Sequence, residues 1–364
     1  MKKNIMLDDL KRIKGILTHT LSKDVATRNY YQYTRLLSLF ANTYGYVPEN
    51  LIVSENEMKR LENLRIPQGK NVMKYANWVE NNKDELRILS KNNSKLFEDI
   101  DFFYVYAPSK YKVYNIQDFT GVLYDFCNYY GYLDLLEKYL IDDRIKVLLG
   151  KKHHSGEFVY LPYFKSGFIR SEAINQDSGA LNVAAHELGH AIDAETCVFP
   201  QQKKKSDFHD IMLEVPSTCM ELLFDDFIIN NHIDEIGGLL LKNQKGELLK
   251  HYTLQYLDSL CYNNYYYSSD GNIIDLDTYQ GYDGFRSALL YGLGYQFAYH
   301  LLLLAREDKN EFKRVYNNLI TSRFEYKRLI DSIKMIGYKP EEFLSSSLIK
   351  SELSNDLNTL RKRL

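Results

Sequence analysis

Residues 183–193 read Val-Ala-Ala-His-Glu-Leu-Gly-His-Ala-Ile-Asp, and this segment constrains the fold more than any other. Histidines four residues apart act together only on a helix, where they lie one turn apart on the same face. Val183, Ala184, Ala185, Leu188, Ala191 and Ile192 around them are apolar and mostly small, so the helix is expected to be buried and closely packed. His186 and His190 then converge as zinc donors. Glu187, displaced around the helix, can act as general base on a zinc-bound water without being a ligand. The implied cofactor is Zn2+, one per chain. The rival reading, in which the two histidines cap a hydrogen-bond network in the core, buries two imidazoles and a carboxyl together at a cost of several kcal/mol.

Catalytic zinc usually takes three protein ligands. Twenty-four residues past His190 the chain reads Glu214-Val-Pro-Ser-Thr-Cys-Met-Glu221, and Glu214, Ser217, Thr218 and Glu221 share one helical stripe. Glu214 is the candidate third ligand. Glu221 and Asp193 are the candidate carboxylates that accept ring N–H groups and so orient the ligands. Pro216 suits a first helical turn, so a helix is expected to start or kink near Glu214. His209 and Asp210 compete as ligands but follow a polar, lysine-rich stretch at 201–208. Glu214 can also be read as a plain surface carboxylate.

Most of the remaining chain has helical periodicity, with 7 Pro, 19 Gly and no repeat. Helices are expected at Leu7–Leu21, from an N-cap at Asp24 to about Tyr44, after a capping box of Ser54 and Glu57, and over Asn71–Leu89 and Ile116–Leu149. The first 150 residues thus read as an N-terminal helical lobe, and 151–364 as a zinc-binding catalytic lobe with C-terminal helices. Glu157–Tyr163 and Phe168–Ile174 alternate and are rich in β-branched and aromatic residues, with a turn at Lys165-Ser166-Gly167, which predicts a hairpin. Helices resume at Ala180–Glu195, Asp207–Asn230, Phe285–Ala305 and through most of the last sixty residues.

With a formal charge of −2 over 364 residues there is no basic excess for nucleic acid. Cys127, Cys197, Cys219 and Cys261 show no paired spacing and read as reduced thiols. The charged N-terminus does not resemble a signal peptide, and no stretch is expected to serve as a membrane span of about eighteen apolar residues. A cytoplasmic location follows as an expectation.

His-Glu-Leu-Gly-His followed by Glu-Val-Pro-Ser-x-x-x-Glu resembles the thimet oligopeptidase and oligoendopeptidase F family of zinc metallopeptidases. The resemblance implies a mainly α, two-lobed, zincin-like (gluzincin) fold around a deep channel, with a small β-hairpin or sheet beside the zinc helix. It implies Glu214 as third ligand, short oligopeptides as substrates, and an endopeptidase. The hairpin is similar in position to the family's substrate-binding edge strand, so Gly167, Phe168, Ile169 and Arg170 are expected to touch substrate. Tyr291-Gly-Leu-Gly-Tyr295-Gln296-Phe297-Ala298 is similar to its Tyr-rich segment, and Ile336–Leu344 to its Gly-x-x-Pro stretch. The likeness spans roughly 157–345. Two departures stand out: Phe285-Arg286-Ser287-Ala288 offers no histidine where the family has a catalytic one, and the chain is short for the family.

A tetrahedral oxyanion needs donors besides the metal. Tyr295 is the leading candidate, with Tyr291 one turn away and Tyr282 in the Gly281–Gly284 segment. With 31 Tyr in the chain, core packing is the competing role for each, and Arg286 is either a substrate-carboxylate contact or a solvated helix residue. Two other functions fit the motif: a regulatory metalloprotease that cuts one protein partner, and a non-catalytic, zinc-stabilised peptide-binding scaffold. Retention of Glu187 argues against the second.

Overall fold

The computed structural model describes residues 4–64, 78–79, 81–98, 100, 102, 110–161, 166–196, 212–253, 265–267, 273–275, 279–322 and 328–364, with the backbone alone at 23–24, 27–28, 62, 64, 116, 265–267, 273–275 and 279–286. The protein is mainly helical with a small sheet. α1 (Ile5–His19) and α2 (Lys23–Tyr44) open the chain. Ser22, not Asp24, caps α2, its side chain accepting from the Val25 N–H, so Asp24 falls inside the helix. Glu57 N–H and Ser54 N–H are each satisfied by the other residue's side chain at the head of α3 (Glu55–Leu64), the reciprocal capping box expected there. α4 (Lys83–Glu98) follows; the expected helix from Asn71 begins outside the described residues.

The stretch 116–149 is not one helix. α5 (Ile116–Tyr130) stops at Gly131, which takes a left-handed conformation, and α6 (Leu133–Ile141) gives way to a strand, β1 (Ile145–Leu148). With β2 (Ser155–Leu161) and β3 (Ser166–Glu172) it forms a sheet of order β1-β3-β2, parallel on one side of β3 and antiparallel on the other. Ser166 and Gly167 are strand residues rather than turn. The sheet has two covered faces. Val159, Leu161 and Phe168 pack into a core with Leu10, Ile13 and Leu36 of α1 and α2, while Phe158 and Ile169 join the larger core on the opposite face. Packing therefore runs across residue 150, since β1 precedes it and pairs with β3 beyond it.

The larger core is built on α7 (Ser178–Thr196), α8 (Val215–Asn230), α9 (Glu235–Tyr252) and α10 (Tyr279–Glu307). β4 (Tyr265–Tyr267) and β5 (Ile273–Asp275) form a two-stranded ladder before α10. α11 (Lys309–Ser322), α12 (Leu329–Met335), α13 (Pro340–Ser345) and α14 (Ser347–Arg363) complete the chain. Within α10, Ser287–Glu307 is, against the sequence reading, long and apolar enough to cross a membrane by length and composition; 83% of its apolar window is buried inside the protein, as in a central core helix.

Near one end of that helix a cluster of charges ties α8, α9, α10 and α14 together. Lys242 Nζ lies 2.9 Å from both Glu352 Oε1 and Asp356 Oδ2 and 3.5 Å from Asp226 Oδ1, and Arg306 pairs with Asp226 and Glu352. Burial works against the charge on Lys242, but Asp356, Glu352 and Asp226 outweigh it and hold its pKa above the usual lysine value. Removing Lys242 leaves Asp356 without its ammonium partner and Asp226 and Glu352 with Arg306 alone. Lys242→Met is expected to destabilise the chain by about 3–5 kcal/mol in urea unfolding; a loss of less than about 1 kcal/mol, the range of exposed pairs, would show the cluster to be dispensable.

Candidate metal centre and cleft

α7 begins where Asp177 Oδ1 accepts the Ala180 N–H, and its helical turn brings His186 and His190 side by side, ring centroids 5.0 Å apart. The ligand atoms of His186, Glu187 and His190 all lie within 4.8 Å of one another. α8 starts one residue after Glu214, with Pro216 in its first turn, where no helical N–H is lost. That start leaves the Glu214 side chain facing α7: its Oε2 is 3.6 Å from His186 Nε2 and 3.4 Å from His190 Nε2, and the Ser217 hydroxyl holds the same oxygen at 2.8 Å.

The two helices approach this closely because of Gly189. A Cβ there would fall 2.5 Å from the Pro216 carbonyl oxygen and 2.6 Å from Ser217 Cα, so only a hydrogen fits. The Tyr316 hydroxyl donates to that same carbonyl at 3.1 Å. Opposite, Gly156 of β2 lies against the side chains of Glu187 and Val183, which a Cβ there would force to shift.

Glu221, two turns into α8, accepts from His186 Nδ1 at 2.7 Å through Oε1, while its Oε2 accepts from the Tyr295 hydroxyl at 2.9 Å and sits 3.1 Å from Lys245 Nζ. Burial opposes every charge here, yet partners prevail at three of them. His186 is pushed up to about 9, chiefly by Glu221. Glu214 is held down at about 2 by His190 and His186, and Glu221 at about 2 by Lys245 and His186. For Glu187 burial prevails, and its carboxyl is raised. A buried group with this surplus of carboxylates around two imidazoles suits a cation.

These groups open on a cleft of about 460 Å3 lined by Tyr31 and Arg35 of α2, Gly156 and Phe158 of β2, and His186, Glu187 and Tyr291 among others. Asp193 and Glu214 also line it. Tyr291 stacks on His186, ring centroids 6.4 Å apart, and Tyr252 of α9 stacks on Tyr291 at 5.4 Å. Tyr295 does not reach the cleft: it is 2% exposed, and its phenol is directed at Glu221 behind the histidines. Of the two tyrosines, Tyr291 is the one beside the expected reaction site. The side chains of Tyr282 and Arg286, and the whole of His209 and Asp210, lie outside the described residues.

The expected substrate contacts at Gly167–Arg170 need correction. They belong to β3, the middle strand, whose backbone is paired on both sides. Phe168 points into the α1–α2 core, Gly167 lies under the Phe158 ring, and Arg170 pairs with Glu157 at 3.3 Å. Of the sheet's two edge strands, β1 and β2, it is β2 that runs along the cleft. Sequence reasoning missed Gly156, Glu157, Phe158, Arg35 and Lys245; all are ordinary strand or helix residues until the fold brings them to the site.

No protein family and no curated protein matches the sequence. Three solved structures are similar to it: a protein named oligoendopeptidase F from Bacillus anthracis str. Ames, at 16% identity and TM-score 0.46 over 97% of this chain and 69% of that one; a PZ peptidase A with an inhibitor, at 13% and 0.43 over 97% and 71%; and another oligoendopeptidase F, at 13% and 0.42 over 92% and 65%. What the cleft can do follows from its own residues.

The close approach at Gly189 carries a test. Gly189→Ala would gain about 1 kcal/mol of helix propensity at an unhindered position, but here overpacking should reverse the sign and cost about 1–3 kcal/mol, measured by urea unfolding of the metal-free chain. A stabilised variant would show that α7 and α8 can move apart.

Proposed function

We propose that the chain is a zinc-dependent peptidase acting on short, extended peptides, with His186, His190 and Glu214 holding the metal and Glu187 as general base. The observation that carries this reading is the single oxygen of Glu214 facing both imidazole Nε2 atoms at 3.6 and 3.4 Å. Ligands at the usual zinc bond lengths and tetrahedral angles stand about 3.4 Å from one another, which is close to the separation of the Glu214 oxygen from each imidazole nitrogen. The likeness of the two motifs to the oligoendopeptidase F family supports the same reading.

Zinc, when bound, supplies a Lewis acid that makes water a nucleophile near neutral pH and polarises a carbonyl. Glu187 stands on the cleft side, next to both histidines and against Gly156, in position to take the proton of the attacking water and pass it to the leaving amine. Tyr291 keeps its phenolic proton, since burial and the carboxylates around it raise its pKa, and so is a donor for the developing oxyanion. An extended peptide would add to the outer edge of β2, where main-chain hydrogen bonds bind it with little regard to sequence.

The test is zinc content by elemental analysis alongside hydrolysis of a quenched fluorescent peptide library with and without chelator. Glu187→Gln should keep stoichiometric zinc and native stability while losing hydrolysis by several orders of magnitude; substantial residual turnover would remove Glu187 from the mechanism. Tyr291→Phe should lower kcat with little change in KM, as for a group engaged only in the transition state. Tyr295→Phe should instead act through Glu221 and weaken zinc retention. The opposite pattern would return the oxyanion role to Tyr295.

A further inference from the structure

Behind the two histidines, on the side away from the cleft, runs a chain of buried polar contacts that the proposed reaction does not use directly. Lys245 on α9 extends its ammonium to Glu221 Oε2 at 3.1 Å and donates to Asn182 Oδ1 on α7 at 2.8 Å. Asn182 in turn donates to Asp225 Oδ1 of α8 at 2.7 Å. Lys245, Glu221, Asn182 and Asp225 are all buried. Lys245 therefore joins three helices, and it does so at a carboxylate that touches His186 from behind.

Glu221 divides its oxygens: Oε2 faces Lys245 and Tyr295, and Oε1 faces His186 Nδ1. Glu221 Oε2 is therefore held from behind by two donors, the Lys245 ammonium at 3.1 Å and the Tyr295 hydroxyl at 2.9 Å. With Oε2 pinned, Oε1 accepts the Nδ1 proton, and the remaining nitrogen, Nε2, is the one turned to Glu214. We propose that Lys245 is a positioning residue for the metal centre, holding Glu221 so that His186 carries its proton on Nδ1 and presents Nε2 as a donor. This rests on the zinc reading above and deepens it: a third helix, with no residue in either motif, sets which nitrogen of His186 meets the metal.

A purely structural role for Lys245 would hold α9 against α7 and α8 and nothing more. The two roles separate in a comparison of Lys245→Met, which keeps the length without the charge, Lys245→Arg, which keeps the charge, and Glu221→Gln. In the metal-free protein with 15N-labelled histidine, the His186 Nδ1 proton shared with Glu221 should give a downfield resonance in the native chain. That resonance should be lost in Lys245→Met and kept in Lys245→Arg. Zinc affinity by chelator competition should fall about 10- to 100-fold in Lys245→Met, and the double variant Glu221→Gln/Lys245→Met should bind zinc no more weakly than Glu221→Gln alone, because the two residues act through one path.

An unchanged Nδ1 resonance and unchanged zinc affinity in Lys245→Met would overturn the proposal, whatever happens to its melting temperature. So would additive losses in the double variant. If Lys245→Met does not fold, the double variant, which removes both charges together, is compared with Glu221→Gln alone, and a double variant that binds zinc more weakly than Glu221→Gln overturns the proposal. Native protein that binds no zinc would sink the proposed function instead, while the metal-free resonance would still decide what Lys245 does to His186.

Discussion

A carboxylate buried without a partner is among the most costly features a fold can carry, and this protein buries Glu187, Glu214 and Glu221 around two imidazoles. Much of the interior can be read as the answer to that constraint. α7 supplies the histidines, α8 the two carboxylates that flank them, α9 the ammonium behind Glu221, and α10 the phenol that shares the same oxygen. None of these helices alone could hold its charged groups in an apolar core; together they satisfy one another. The absence of a side chain at Gly189 belongs to the same account, because the carboxylate of Glu214 reaches the imidazoles only if α8 lies almost in backbone contact with α7.

The sheet answers a different need. β2 must be covered on one face by α7 to wall the cleft and on the other by α1 and α2 to keep Val159 and Leu161 dry. The N-terminal helices therefore do more than fill out the fold. They bring Tyr31 and Arg35 to the cleft, and Arg35 pairs with Glu157, which Arg170 holds from the neighbouring strand. The cleft wall is thus assembled from segments more than a hundred residues apart.

What was legible in the sequence was local. The spacing of His186 and His190, and the stripe joining Glu214 to Glu221, each lie within a few helical turns, and periodicity alone fixes which side chains share a face. What was not legible depends on which element approaches which. Ile-Lys-Val-Leu at 145–148 continues a helical pattern by composition and becomes a strand only because β3 offers its edge across more than twenty residues. Pairing order also decided the substrate edge: the hairpin was readable, but a third strand on the far side of β3 leaves β2 outermost. Tyr291 and Tyr295 are one turn apart, and no pattern says which phenol meets the cleft and which the buried carboxylate. Lys245 carried no signal, since a lysine in a helix is ordinarily solvated.

The apolar segment of α10 has a consequence for how the chain comes into being. Its sides are covered by α8 and α9, which precede it, and by α11 and α14, which follow. During synthesis the earlier helices are available at once, but α14 emerges some forty residues later. In that interval the chain displays a helix with the length and hydropathy of a membrane span, half sheltered by its predecessors. The polar ends of Lys242, Asp226 and Arg306 are present before Glu352 and Asp356 arrive to pair with them. Until that last helix is laid, one flank of this apolar segment and the charges beside it stand open to chaperones, to neighbouring chains and to lipid.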